Sequence, residues 1–166
     1  MSDANPIRLA LDARGGDHGE QIIIAAACDA LLARPELEVV LVGPSEAPAN
    51  TLDGVDRSRL SRIRFEAAET VLDSGVGPVA ALRQGGRSSM GRCMELLSEG
   101  AVDACVSAGS TTALMTLGMR MLGMLHGLKR PALMTRIPSA RGFTSMLDLG
   151  ANLNVDATQL VQFAIM

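Results

Sequence analysis

The chain has no tryptophan, no tyrosine and only three phenylalanines. Surfaces that hold nucleic acid need cations for the phosphates and often rings for the bases. Here 15 basic residues stand against 18 acidic ones, for a net charge of −3, and they form no block. Nucleic acid is therefore not an expected partner. The three cysteines, Cys28, Cys93 and Cys105, make no Cys-x-x-Cys pair and no metal-ligand spacing. Neither a disulfide framework nor a metal site is expected, and a reducing compartment, the cytoplasm, is the natural reading. No uninterrupted apolar run approaches the ~18 residues of a membrane span. The opening Met-Ser-Asp-Ala-Asn-Pro has no basic region leading into an apolar one, so no signal peptide is expected.

What is present is a globular composition. Hydrophobic residues make up 48 % of the chain and charged residues 20 %; the mean hydropathy is +0.24. At 166 residues the length gives one domain, 1–166, with a core of useful size.

Strand and helix patterns alternate. Ile7 to Asp12, Glu38 to Gly43 and Arg62 to Glu66 read as strands, with a helix over 20–33 between the first two. The stretch from Pro44 to Asp56 is loop-rich with room for a short helix. Pro78 suits a first helical residue, and the pattern runs to Glu99 with a break at Gly85 and Gly86. Val102 to Val106 reads as a short buried strand feeding a helix from Thr111 to about His126. Ala132 to Thr135 and Ser145 to Asp148 read as further strands, and a last helix starts near Asp156. This order predicts an α/β fold: a mostly parallel sheet with helices on both faces, three layers α/β/α.

Three polar, glycine-bearing turns each follow a strand: Arg14 to Gly19, Ser107 to Thr112 and Asp148 to Asn152. In parallel sheets ligands gather at the carboxyl ends of the strands, so the three turns are expected to share one edge. The turn Ser107-Ala108-Gly109-Ser110-Thr111 leads into a helix. A helix start offers free N–H groups and the positive end of the macrodipole, which together suit an anion. Capping alone also explains Ser110 and Thr111. Asp12, Gly15, Gly16 and Asp17 of the first turn join the candidate site as ligand-positioning groups or as cap and turn formers. His18 is the candidate acid or base, or an ordinary loop histidine. Asp148 and Asn152 are candidate binding residues or turn formers. Arg14, Arg83 and Arg87 read as cations for phosphate or an acidic partner, or as solvated charge. The helix rich in Met and Leu after Thr111 reads as core, or as a partner or membrane-surface face.

Seven ordered segments carry a resemblance. They are Asp12-Ala13-Arg14-Gly15-Gly16-Asp17-His18, Leu41-Val42-Gly43, Arg83 with Ser88-Ser89-Met90, Asp103 to Met115, Arg130-Pro131-Ala132, Leu147 to Asn152 and Leu160 to Met166. In these the chain resembles the amino-terminal half of the acyl-carrier-protein:phosphate acyltransferases, the PlsX family of phospholipid synthesis. The chain departs from the family at Arg14 (family Met), Ser110 (Asn) and Thr112 (Gly), and at Gly85 and Gly86, where the family tends to carry lysines. The resemblance implies a fold like that of the isocitrate and isopropylmalate dehydrogenases. It implies transfer of a fatty acyl group from acyl-carrier protein to inorganic phosphate, without metal or cofactor. It also implies a homodimer and leaves room for peripheral membrane association. The chain stops inside an apolar helical run, and the family's second half carries a lysine and an asparagine assigned to catalysis. A truncated, inactive fragment that binds phosphate or associates with other chains is therefore the alternative. A nicotinamide dehydrogenase is disfavoured, because no Gly-x-Gly-x-x-Gly follows the first strand.

Overall fold

The computed structural model describes residues 5–43, 45–46, 51–152 and 154–166. The signal-peptide reading falls mostly on residues outside these, as does much of the loop after Gly43. The described chain divides into two compact units, Met1–Leu122 and Gly123–Met166.

The first unit holds a four-stranded sheet in the order β3-β2-β1-β4. Its strands are β1 (Ile7–Asp12), β2 (Leu37–Gly43), β3 (Ile63–Ala67) and β4 (Ala104–Val106). Every pairing is parallel, with Leu9 opposite both Val39 and Ala104. The apolar run Val39 to Val42 of β2 and the shorter Leu9 to Leu11 of β1 suit burial on both faces, because successive side chains point to opposite sides. Val39 and Leu41 pack with Ile24, Ala27, Cys28 and Leu31 of helix α1 (Glu20–Ala33). Ala10 and Val42 point the other way, to Cys93 and Leu96 of a second helix. Helices thus cover both faces, in three layers.

The expected helix from Pro78 breaks where its glycines stand. It becomes α3 (Pro78–Gln84), a 3-10 turn over Gly85–Arg87, and α4 (Ser89–Ser98) capped by the Ser88 hydroxyl. Between β2 and β3 lies the short α2 (Arg57–Leu60), just beyond the loop where a short helix was expected. Helix α5 (Thr111–Met121) stops five residues before the expected His126. Gly123 takes a φ of +79°, which ends the helix as C-terminal glycines do. Only one side of α5 is core: Ala113 and Leu117 are buried while Met119 stays exposed. β4 is shorter and more open than expected. Among the described residues it pairs with β1 alone, and Val106 is 47 % exposed.

In the second unit β5 (Met134–Ser139) and β6 (Gly142–Leu147) form an antiparallel hairpin. Both segments are strands, as expected, but they pair with each other and not with the parallel sheet. The reason is local: the two-residue link Ala140-Arg141, followed by Gly142 at φ +127°, returns the chain directly beside itself. Helix α6 (Ala157–Ile165) starts at Asp156, whose side chain forms a reciprocal capping box with Gln159 and whose helix buries Phe163.

Candidate functional site

β1 and β4 are neighbours, with Leu11 opposite Val106, so the turns that follow them emerge side by side. Asp12 closes β1 and is 1 % exposed. Its Oδ2 accepts a hydrogen bond from the Ser107 hydroxyl at 2.6 Å, and its Oδ1 accepts from the Arg14 N–H at 3.2 Å. The Ser107 oxygen in turn accepts from the Gly109 N–H at 3.1 Å. The glycines let the two turns touch. A Cβ on Gly15 would fall 2.6 Å from the Asp12 Oδ2 and 2.7 Å from the Ser107 Oγ. Gly16 has a φ of +92° and lies against Ala108. A Cβ on Gly109 would fall 2.9 Å from the Met90 Cε and 3.2 Å from the Ser107 Oγ. Gly109 therefore serves the packing of the turn itself.

Beside these turns lies a cavity of about 540 Å³. One wall is Gly16, Asp17 and the stretch Ala108 to Thr112; the other is Val71 to Ser74, with Arg14 between. Ser110 caps α5, its hydroxyl accepting from the Ala113 N–H at 3.3 Å. The first-turn N–H groups of Thr111 and Thr112 have no partner within the helix, and both residues are exposed and line the cavity. The positive end of α5 thus faces it. The side-chain charges are mixed. The Arg14 guanidinium is held by Glu20 at 2.6 Å and by the Ala68 carbonyl at 3.4 Å. Asp17 and Asp73 add two carboxylates to the lining. The lining thus offers backbone N–H groups and mixed side-chain charge rather than a free cation.

The candidate residues fall into four groups. Gly16, Asp17, Gly109, Ser110 and Thr111 line the cavity. Asp12, Gly15 and Ser107 stand behind its wall and hold the turns together. His18 is exposed in the first turn and does not line the cavity. Asp148 and Asn152 belong to the second unit and bond each other. The Asp148 Oδ1 accepts from the Asn152 N–H at 3.1 Å and from its Nδ2 at 2.9 Å, while Nδ2 also donates to the Pro131 carbonyl. Asp148 holds a φ of +61°, a conformation that aspartate tolerates in turns. Of the other arginines, Arg87 sits 3.6 Å from Glu69, and neither it nor Arg83 lines the cavity.

Sequence reasoning missed the wall from Val71 to Ser74. These residues have no helix or strand pattern, and only the Asp73-Ser74-Gly75 turn ahead of α3 marks them. The chain is drawn in by a bridge between Thr70 and Ser88 and by the Thr70 N–H donating to the Arg87 carbonyl.

The three cysteines are free. Burial pushes the Cys93 thiol well above its ordinary range, and the Asp12 charge adds to this. Cys105 is raised by the same two causes, and its Sγ lies 3.7 Å from the Met94 Sδ.

A parallel sheet with a cavity beside a helix start at the carboxyl ends of its strands defines an α/β protein. Among known families, the one described as "Fatty acid synthesis protein" matches residues 7–166, and the chain belongs to it, the PlsX family. Membership gives the chain a role in fatty-acid and phospholipid synthesis. Among the described residues no helix is long and apolar enough to cross a membrane.

Proposed function

We propose that the protein takes part in transferring a fatty acyl group from acyl-carrier protein to inorganic phosphate, giving an acyl phosphate. The family match over residues 7–166 carries this reading. The cavity beside the α5 start supports it as the place of the phosphate, because N–H groups and a helix dipole suit an oxyanion. Thr111 and Thr112 then bind phosphate, and the turn behind them keeps their N–H groups in place. Acyl-carrier protein is the donor, the working form is a homodimer in the cytoplasm, and contact with membranes is peripheral.

The test is phosphate-dependent release of carrier-protein thiol from acyl-carrier protein. The reaction is run with the 166-residue chain and with a chain continued by the family's second half. Release by the extended protein, absent without phosphate, is the expected result; no release by it rejects the transferase reading. The pairing of Arg14 with Glu20 favours a second reading for the short chain, weak phosphate binding without turnover. Turnover by the 166-residue chain itself rejects that second reading.

A further inference from the structure

Asp12 is a buried carboxylate that the phosphate reading leaves without a task. Among the described residues its oxygens accept only from the Arg14 N–H and the Ser107 hydroxyl. No cation pairs with it among the described residues, since the Arg14 guanidinium is turned to Glu20. Burying a carboxylate without a counter-ion is costly. The end of a strand does not require one. Asp12 is also not part of the cavity wall, so it does not touch an anion held there.

What it does touch is a hydroxyl with a free rotor. Donation to Asp12 fixes the Ser107 hydrogen, and this turns an oxygen lone pair to the Gly109 N–H at 3.1 Å. That chain of two bonds draws the second turn down onto Gly15, where a side chain has no room. The next residues are the Ser110 cap and then Thr111 and Thr112 at the cavity.

We propose that Asp12 is a positioning residue of the anion pocket. Acting through Ser107, it fixes the Ser107–Thr111 turn in the shape that presents the first N–H groups of α5 to the ligand. The inference rests on the phosphate reading above.

Inorganic phosphate is titrated into the full chain while the amide signals of Thr111 and Thr112 are followed. Thermal unfolding of each variant is measured alongside. Asp12→Asn keeps the size of the side chain but offers only one acceptor oxygen. Ser107→Ala removes the hydroxyl. Each should weaken phosphate binding roughly tenfold, the usual cost of losing a hydrogen bond to a charged group. The double variant should bind no more weakly than the worse single one, because the two residues act as one unit. A purely structural role lowers the melting temperature and leaves the phosphate Kd of the folded variants unchanged. That outcome, or additive losses in the double variant, overturns the proposal while leaving the phosphate reading standing. A parent chain that binds no phosphate overturns both. If Asp12→Asn does not fold, Ser107→Ala carries the same test alone.

Discussion

Gly91 stands so near the preceding turn that a Cβ on it would lie 1.8 Å from the Gly85 carbonyl oxygen. Backbone cannot move aside as a side-chain end can. Gly91→Ala must therefore push the 3-10 turn away from α4 or break the α4 start. Overpacking costs about 1–3 kcal/mol and sometimes more. Gly91→Ala is expected at or above the top of that range in chemical denaturation. Gly86→Ala is the control, since nothing lies within 4 Å of its Cβ position, and it should stay within about 0.5 kcal/mol of the parent. Equal stability of the two variants contradicts the packing described for this turn. Gly85 is a related case, with a Cβ 2.5 Å from the Leu117 Cδ2. A side chain at that position would have to displace the buried Leu117 side chain.

Among the elements, β4 is the most weakly held strand, with three residues and one neighbour. Its start is tied to β1 by reciprocal bonds. The Arg8 N–H donates to the Asp103 carboxylate at 2.8 Å, and the Asp103 N–H donates to the Arg8 carbonyl at 2.8 Å. The first of these bonds, with help from the Arg8 side chain, holds the Asp103 carboxyl below its ordinary pKa. A folded-state value below the unfolded one stabilises the fold at every pH above the unfolded value, near 4. That contribution disappears as the pH falls through the folded value. Asp103→Ala should thus melt lower than the parent at pH 7, and the gap should narrow as the pH falls below about 4. A gap that is constant over this range means that the carboxylate bond does not anchor β4. Asp56, held low by the Ser58 hydroxyl and by Arg59, titrates in the same direction in both proteins and cancels from the difference.

For the molecule as a whole, a ligand that binds only the folded state raises its stability by mass action. Phosphate held at the α5 start should raise the melting temperature by about 5–10 °C once its concentration passes about 100 times its Kd. Chloride at matched ionic strength should not. A melting temperature indifferent to phosphate speaks against the cavity as an anion site, whatever the chain's catalytic competence.

The continuous apolar run of β2 and the alternation of strands with helices determined the parallel sheet, because such a run can be buried on both faces. Glycine and proline determined where α3 and α4 part. The order of seven motifs pointed to the family. What pairs with what was decided by the tertiary structure. Residues 134–147 close into a hairpin of their own because a two-residue turn satisfies them locally. Asp12 and Ser107 are 95 residues apart, and only the pairing of β1 with β4 brings them within a hydrogen bond. Sequence marked both as site residues but could not say that they stand behind the wall. The far wall, Val71 to Ser74, has no periodic pattern, and its place depends on long-range bonds from Thr70 to the 3-10 turn and the α4 start. Periodicity reports which face of an element is buried; which loops meet across a cavity depends on contacts between residues far apart in the chain.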